Sequence, residues 1–257
     1  MKPHLSLGIA QVVFYAPIFP LTIYLMYRNW HHRPRMVWWP MVPLSLMRVV
    51  GGACIIALEL DRSFNLALII TTIVLLNVGA IPLIVNELGF VRTILQDNFS
   101  QVPRLHLMVK LLRIGFIPAG GLLAAGGGIS SDQPTLGRTL ALAGYVVFAA
   151  ILIALIAMEL YFWTLRSSLI PSSRKILMGG LATAPFLIVR NLYGILEYAQ
   201  HDWATGHWSP VFGSAVLFAL MALLMEYVAI CIWLWVGFTT PPNSVVSQGA
   251  RRDGEMK

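Results

Sequence analysis

Residues 139–164 read TLALAGYVVFAAILIALIAMELYFWT, 26 positions that carry one formal charge, Glu159. About 20 apolar residues are enough for a helix to cross the roughly 30 Å hydrocarbon core of a bilayer. Lipid offers no hydrogen bonds, so every backbone N–H and C=O in such a run is satisfied within its own segment, and the run reads as helix. Six further stretches have the same character: 5–27, 36–60, 66–90, 107–127, 176–198 and 211–238. The expectation is an all-α, polytopic bundle of seven transmembrane helices over residues 1–238. A polar tail, TTPPNSVVSQGARRDGEMK (239–257), follows and is expected to be disordered.

Composition agrees. Of 257 residues, 58% are hydrophobic and 11% charged, with mean hydropathy +0.75, against about 45–50% and about 25% for soluble domains. A soluble fold of this size has too little interior to hide that much apolar surface. The net charge is +7, but the basic residues sit in short loops between apolar runs. There they act as topology signals facing anionic lipid rather than as a nucleic-acid footprint. The first apolar run starts at Leu5 and is too long for a signal peptide, so it reads as the first span. Cys54 and Cys231 both lie in apolar runs, with no CxxC spacing, and read as ordinary core residues. The cluster Gly120, Gly121, Gly126, Gly127 and Gly128 predicts close helix packing or a frayed end to the fourth span.

Lys and Arg alternate along the loops. Arg28, Arg33 and Arg35 occupy the first loop, Arg92, Arg104 and Lys110 flank the third, and Arg166, Arg174 and Lys175 flank the fifth. Arg251, Arg252 and Lys257 lie in the tail, whereas the opposite side holds Lys2, Arg62 and Arg138. The odd loops and the C-terminus are therefore expected in the cytosol, with the N-terminus outside or lumenal. The eight tryptophans fall near span ends, where interfacial anchors belong.

Ionisable side chains at membrane depth cost several kcal/mol and normally face the bundle interior with a partner. Three groups emerge from this topology. At mid-depth lie Arg48, Asn77, Arg190, Asn191 and Glu226. Two arginines and one carboxylate at similar height predict a buried Arg–Glu–Arg cluster, which either lines a cavity or clamps helices two, six and seven together. Asn77 reads most simply as interhelical glue. Near the outer face lie Glu59, Asp61, Tyr193, Glu197, Tyr198, His201, Asp202 and His207. A carboxylic acid kept protonated in an apolar pocket, Glu59 or Glu197, would protonate an alkene or epoxide. Tyr193, Tyr198, Trp203 and Phe64 would then stabilise a carbocation through their ring faces. The alternative is a wetted rim of interfacial acids and aromatics. Near the cytosolic face, Asn86, Glu87, Arg113 and Glu159 read as ion pairs at headgroup level.

Several chemistries lack their signatures. There is no DDxxD or DxDD for metal-dependent prenyl chemistry, and no HExxH, GxSxG or Walker sequence. The seventh span has no lysine for a retinal Schiff base, and neither DRY nor NPxxY occurs. No metal and no cofactor is expected.

The runs SLMRVVGGACIIAL (45–58), APFLIVRNLYGIL (184–196) and LMEYVAICIWLWVGF (224–238) resemble a fungal seven-transmembrane domain family of largely unknown function. The resemblance spans nearly the whole chain through Arg48, Gly51, Pro185, Phe186, Arg190, Tyr193 and Glu226. A looser similarity is to small membrane-bound cyclases of fungal terpenoid and meroterpenoid pathways. That likeness implies cofactor-free cyclisation of a lipophilic substrate, with Glu59, or Glu197 or Asp202, as the acid. A pericyclic ring closure would instead rest on orientation, with Arg48, Arg190 or Tyr193 donating to a carbonyl. The function expected first is thus a membrane-embedded cyclase in secondary metabolism, in the endoplasmic reticulum membrane. The alternative is a non-enzymatic sensor or transporter of lipophilic compounds, which broken helices or inverted repeats would favour.

Overall fold

The computed structural model describes residues 3–30, 37–60, 66–99, 101–129, 133–200 and 206–240. Its helices are α1 (Pro3–Arg28), α2 (Met41–Leu60), α3 (Leu66–Val78), α4 (Ala80–Asn98), α5 (Pro103–Ile129), α6 (Pro134–Thr164), α7 (Pro171–Ala199), α8 (Ala215–Phe218) and α9 (Leu224–Thr239). A π-helical turn, Ala219–Leu223, joins α8 to α9, and a break at Gly79 separates α3 from α4. Counted as membrane crossings these make seven, with α3–α4 as the third span and α8–α9 as the seventh.

The crossings agree with the sequence reading; their ends do not always. The third span continues as helix to Asn98, eight residues past Phe90, and the sixth starts at Pro171 rather than at 176. Hydropathy stops at the hydrocarbon edge, but a helix continues until its backbone is capped or water takes over. Proline at the first helical position of α5, α6 and α7 sets those starts, where its missing N–H would have been unpaired anyway.

The third and sixth spans lie at the centre. α7 packs on α4, α6 and α9, while α1 lies on α2 at one flank and α5 on α6 at the other. Gly126 explains that second pairing: a β-carbon there would meet Ala141 N and Gly137 O at 2.7 Å each. The glycine-rich end of α5 is therefore packed at Gly126, while Gly121 and Gly128 meet nothing within 4 Å, and the helix runs unbroken to Ile129. Large apolar side chains face outward, among them Val13, Ile117, Ile153 and Val216, as lipid contact requires.

Two expectations change. Trp233 is fully buried, its ring 6.3 Å from that of Phe90, instead of marking an interface. Cys231 is on the outward face rather than in the core.

Candidate functional site

The regular hydrogen bonding of the third span lapses at one residue, Gly79, whose backbone stays in the right-handed helical region (φ −57°, ψ −19°). Pro82 has no N–H for the Val78 carbonyl, and Gly79 has no side chain, so the helix there is both short of a bond and open to a neighbour. Arg48, on α2, fills that opening: a β-carbon at Gly79 would fall on its guanidinium. The Leu76 carbonyl just before the break accepts from Arg48 Nη2 at 3.0 Å and from Arg190 Nη2, on α7, at 3.2 Å.

Glu226, on α9, is held between the same two arginines. Arg48 Nη2 donates to Glu226 Oε1 at 2.5 Å, and Arg190 Nε donates to the same oxygen at 2.6 Å. Arg48 Nε lies 2.5 Å from Oε2, in contact but off the line of a hydrogen bond. None of the three is more than 2% exposed. The predicted Arg–Glu–Arg cluster is thus present, and it ties the second, third, sixth and seventh spans at one point. In low dielectric, ion pairs that close are sustained only by tight geometry and further hydrogen bonds, which the Leu76 carbonyl supplies.

Asn77 carries the network onward. Its Nδ2 donates to Glu197 Oε1 at 2.9 Å and to Tyr198 Oη at 3.2 Å, while its Oδ1 accepts from Tyr145 Oη at 3.2 Å. Asn191 Nδ2 lies 3.4 Å from the Tyr145 carbonyl, and Tyr193 stacks toward Arg190 while its hydroxyl donates to Trp208 O at 2.7 Å. Gln11, on α1, closes the far side by donating to the Arg48 carbonyl at 2.6 Å.

The division into mid-depth and outer groups does not survive. Glu197 and Tyr198, assigned to the outer face, belong to the mid-depth network through Asn77, which is interhelical glue as expected and joins the third span to both the fifth and the sixth. Glu197 lies about 10 Å along α7 from Arg190 by helical rise, a gap that the Asn77 side chain spans. Glu59 stays apart from this polar core, half-buried in the last turn of α2. Phe64, Trp203, Asp61, His201 and Asp202 lie outside the described residues, and His207 is exposed. The cytosolic group is also rearranged: Glu87 and Glu159 are fully buried rather than paired with Arg113 at the headgroups. Both carboxylates crowd Gly180, where the missing side chain leaves them room. Glu87 Oε2 accepts from Thr183 Oγ1 at 3.1 Å, and Arg113 instead lines a separate cavity.

Three participants were not singled out from sequence. Gln11 and Tyr145 are polar interruptions of apolar helices, a signal that was available. The Leu76 carbonyl is backbone and carries no sequence signal at all. Polar capacity is left over in this core: Arg48 Nη1, Arg190 Nη1, Asn191 Oδ1, Glu197 Oε2, Tyr15 Oη and Tyr227 Oη are buried without a hydrogen-bond partner among the described residues. Among the described residues, no group of three or more His, Cys, Asp or Glu is placed to hold a metal.

No curated protein and no solved structure matches this chain. A family is nonetheless established over almost its full length: the chain belongs to the family defined by the domain of unknown function DUF7702, which matches residues 1–243.

Proposed function

We propose that this protein is a transporter of lipophilic compounds that carry an oxygen acceptor such as a carbonyl or carboxylate. The observation that carries this reading is the irregular turn of the third span at Gly79, where the Leu76 carbonyl is held by two arginines that share one carboxylate. Membrane transporters build binding sites near the bilayer midplane from interrupted helices whose freed backbone groups meet ligand or charge. The π turn in the seventh span, immediately before Glu226, adds a second irregularity at the same place, and such turns recur at functional sites. Two guanidiniums against Glu226 leave one positive charge in excess within the triad, and each arginine keeps an Nη1 without a partner. An oxygen-bearing ligand meets both needs.

Glu226 joins three spans through the two arginines, and the Leu76 carbonyl brings in a fourth. A ligand that competes with Glu226 for either arginine frees the spans to rearrange, and its energy for doing so is its difference in affinity for the two states. We assign the protein to the endoplasmic reticulum membrane, where lipophilic intermediates are processed.

A second reading, a cofactor-free cyclase, is favoured by one feature. Glu197 keeps one carboxyl oxygen unpartnered and shares Asn77 with Tyr145 and Tyr198, so an acid stands beside two electron-rich rings. If it protonates an alkene, the proton is returned on ring closure and the product is an isomer of the substrate. Glu197 replaces Glu59 as the first acid to test.

Mass spectrometry of cell and medium extracts, with and without the gene, separates the two. Redistribution of a compound of unchanged mass and unchanged structure between cells and medium supports transport. Loss of a product with accumulation of an isomer of identical mass overturns transport in favour of cyclisation, and Glu197→Gln should then reproduce the deletion where Glu59→Gln does not.

A further inference from the structure

Away from the polar core, a cavity of about 260 Å³ opens between α4 and α5, near the connection at residues 99–102. Arg92 and Gln96 border it from α4, and His106, Lys110 and Arg113 from α5. Spacings of three and four residues put each set on one face of its helix. Three cations thus converge on one cavity, and among the described residues no carboxylate lines it. The nearby acid Asp97 is turned to Ser173 instead. His106 adds a buried Nε2 with no hydrogen-bond partner among the described residues.

Depth separates this site from ordinary loop charge. At 1.5 Å per residue, Arg113 lies about 15 Å from the start of α5 and Arg92 about 9 Å from the end of α4. α5 spans about 40 Å, some 10 Å more than the hydrocarbon core, so Arg113 is attached below the hydrocarbon edge. Side chains of a helix lean toward its N-terminus, which carries Lys110 and Arg113 back toward the loop. Immediately beside them, Leu107, Leu111 and Ile114 face outward, each more than half exposed. Cations flanked by an outward apolar track that continues into the span at Ile117, 75% exposed, suit an amphiphile with its phosphate at the interface and its chains in lipid. The volume fits a small headgroup and is below the range of about 300–1,000 Å³ usual for drug-sized ligands.

We propose that the α4–α5 cavity binds the phosphate-bearing headgroup of an anionic membrane lipid, with Arg92, Lys110 and Arg113 as its ligands. The site is independent of the transport reading. It is tested on the full-length protein in phosphatidylcholine nanodiscs by thermal unfolding with added phosphatidic acid, added phosphatidylcholine or inorganic phosphate. Phosphatidic acid should raise the midpoint where phosphatidylcholine does not, and Arg92→Gln/Arg113→Gln should weaken the apparent affinity about tenfold or more. Arg174→Gln/Lys175→Gln, which removes two cations from the first turn of α7, should keep the wild-type response. If the double variant at the cavity does not fold, Lys110→Gln, on an exposed side chain, carries the comparison. An unchanged response in the cavity variants, or an equal loss in the Arg174/Lys175 control, overturns the site. A full response to inorganic phosphate alone overturns the lipid as its source.

Discussion

Glu226 shows what a single side chain does here. Two guanidiniums depend on it in a core that excludes water, so Glu226→Gln leaves them without their counter-charge. Breaking a buried pair in this way costs about 3–5 kcal/mol, which should appear as a large fall in the thermal midpoint of the purified protein in detergent. Replacing the whole triad with apolar residues of similar volume, Arg48→Met/Arg190→Met/Glu226→Leu, removes the buried charge altogether. That variant should recover most of the lost stability and still fail to redistribute the compound between cells and medium. A triad that serves only as a clamp would give recovery of both. Gly79→Ala tests the same point from the backbone side. Its β-carbon competes with the Arg48 guanidinium for space, and overpacking of this kind costs about 1–3 kcal/mol. Thermal unfolding should rank Gly79→Ala below wild type, whereas Gly121→Ala, which meets nothing within 4 Å, should be close to neutral.

At the scale of elements, the two irregular spans set the site. The π turn Ala219–Leu223 holds one residue more than an α-helix would, and that extra residue lets Phe218 pack near Tyr193 while Glu226 still meets the arginines. Deleting Leu220, which is outward-facing, converts the turn to regular α-helix and rotates one half against the other by about 100°. Either Phe218 or Glu226 must then leave its place. The deletion should lower the thermal midpoint as much as Glu226→Gln, while Leu220→Ala, which keeps the register, should have little effect. The seven spans were legible because hydropathy reports burial in lipid directly. The break at Gly79 was not, although Gly79 and Pro82 stand in the sequence, because a glycine in an apolar helix is usually tolerated. What makes this one a break is the arginine of another helix that enters beside it.

For the whole molecule, seven crossings put the two termini on opposite sides of the membrane. The excess of Lys and Arg in the odd loops predicts a cytosolic C-terminus. In intact vesicles of known orientation, a C-terminal epitope should be cleaved from the cytosolic side and an N-terminal one protected. The reverse pattern would move the α4–α5 cavity to the other leaflet. Composition, apolar run length and the charge of the loops determined by themselves that the chain is a seven-helix membrane protein. They also singled out Arg48, Arg190 and Glu226, because a charge in lipid is costly enough to stand out in any apolar run. Which charges meet was decided by tertiary structure alone. Glu197 joined the mid-depth network through Asn77, Glu87 and Glu159 turned inward away from Arg113, and Arg113 joined Arg92 and Lys110 around a cavity. Those pairings depend on helix rotation and on one backbone break, and both are set by how neighbouring side chains fill space rather than by the residues of any one span.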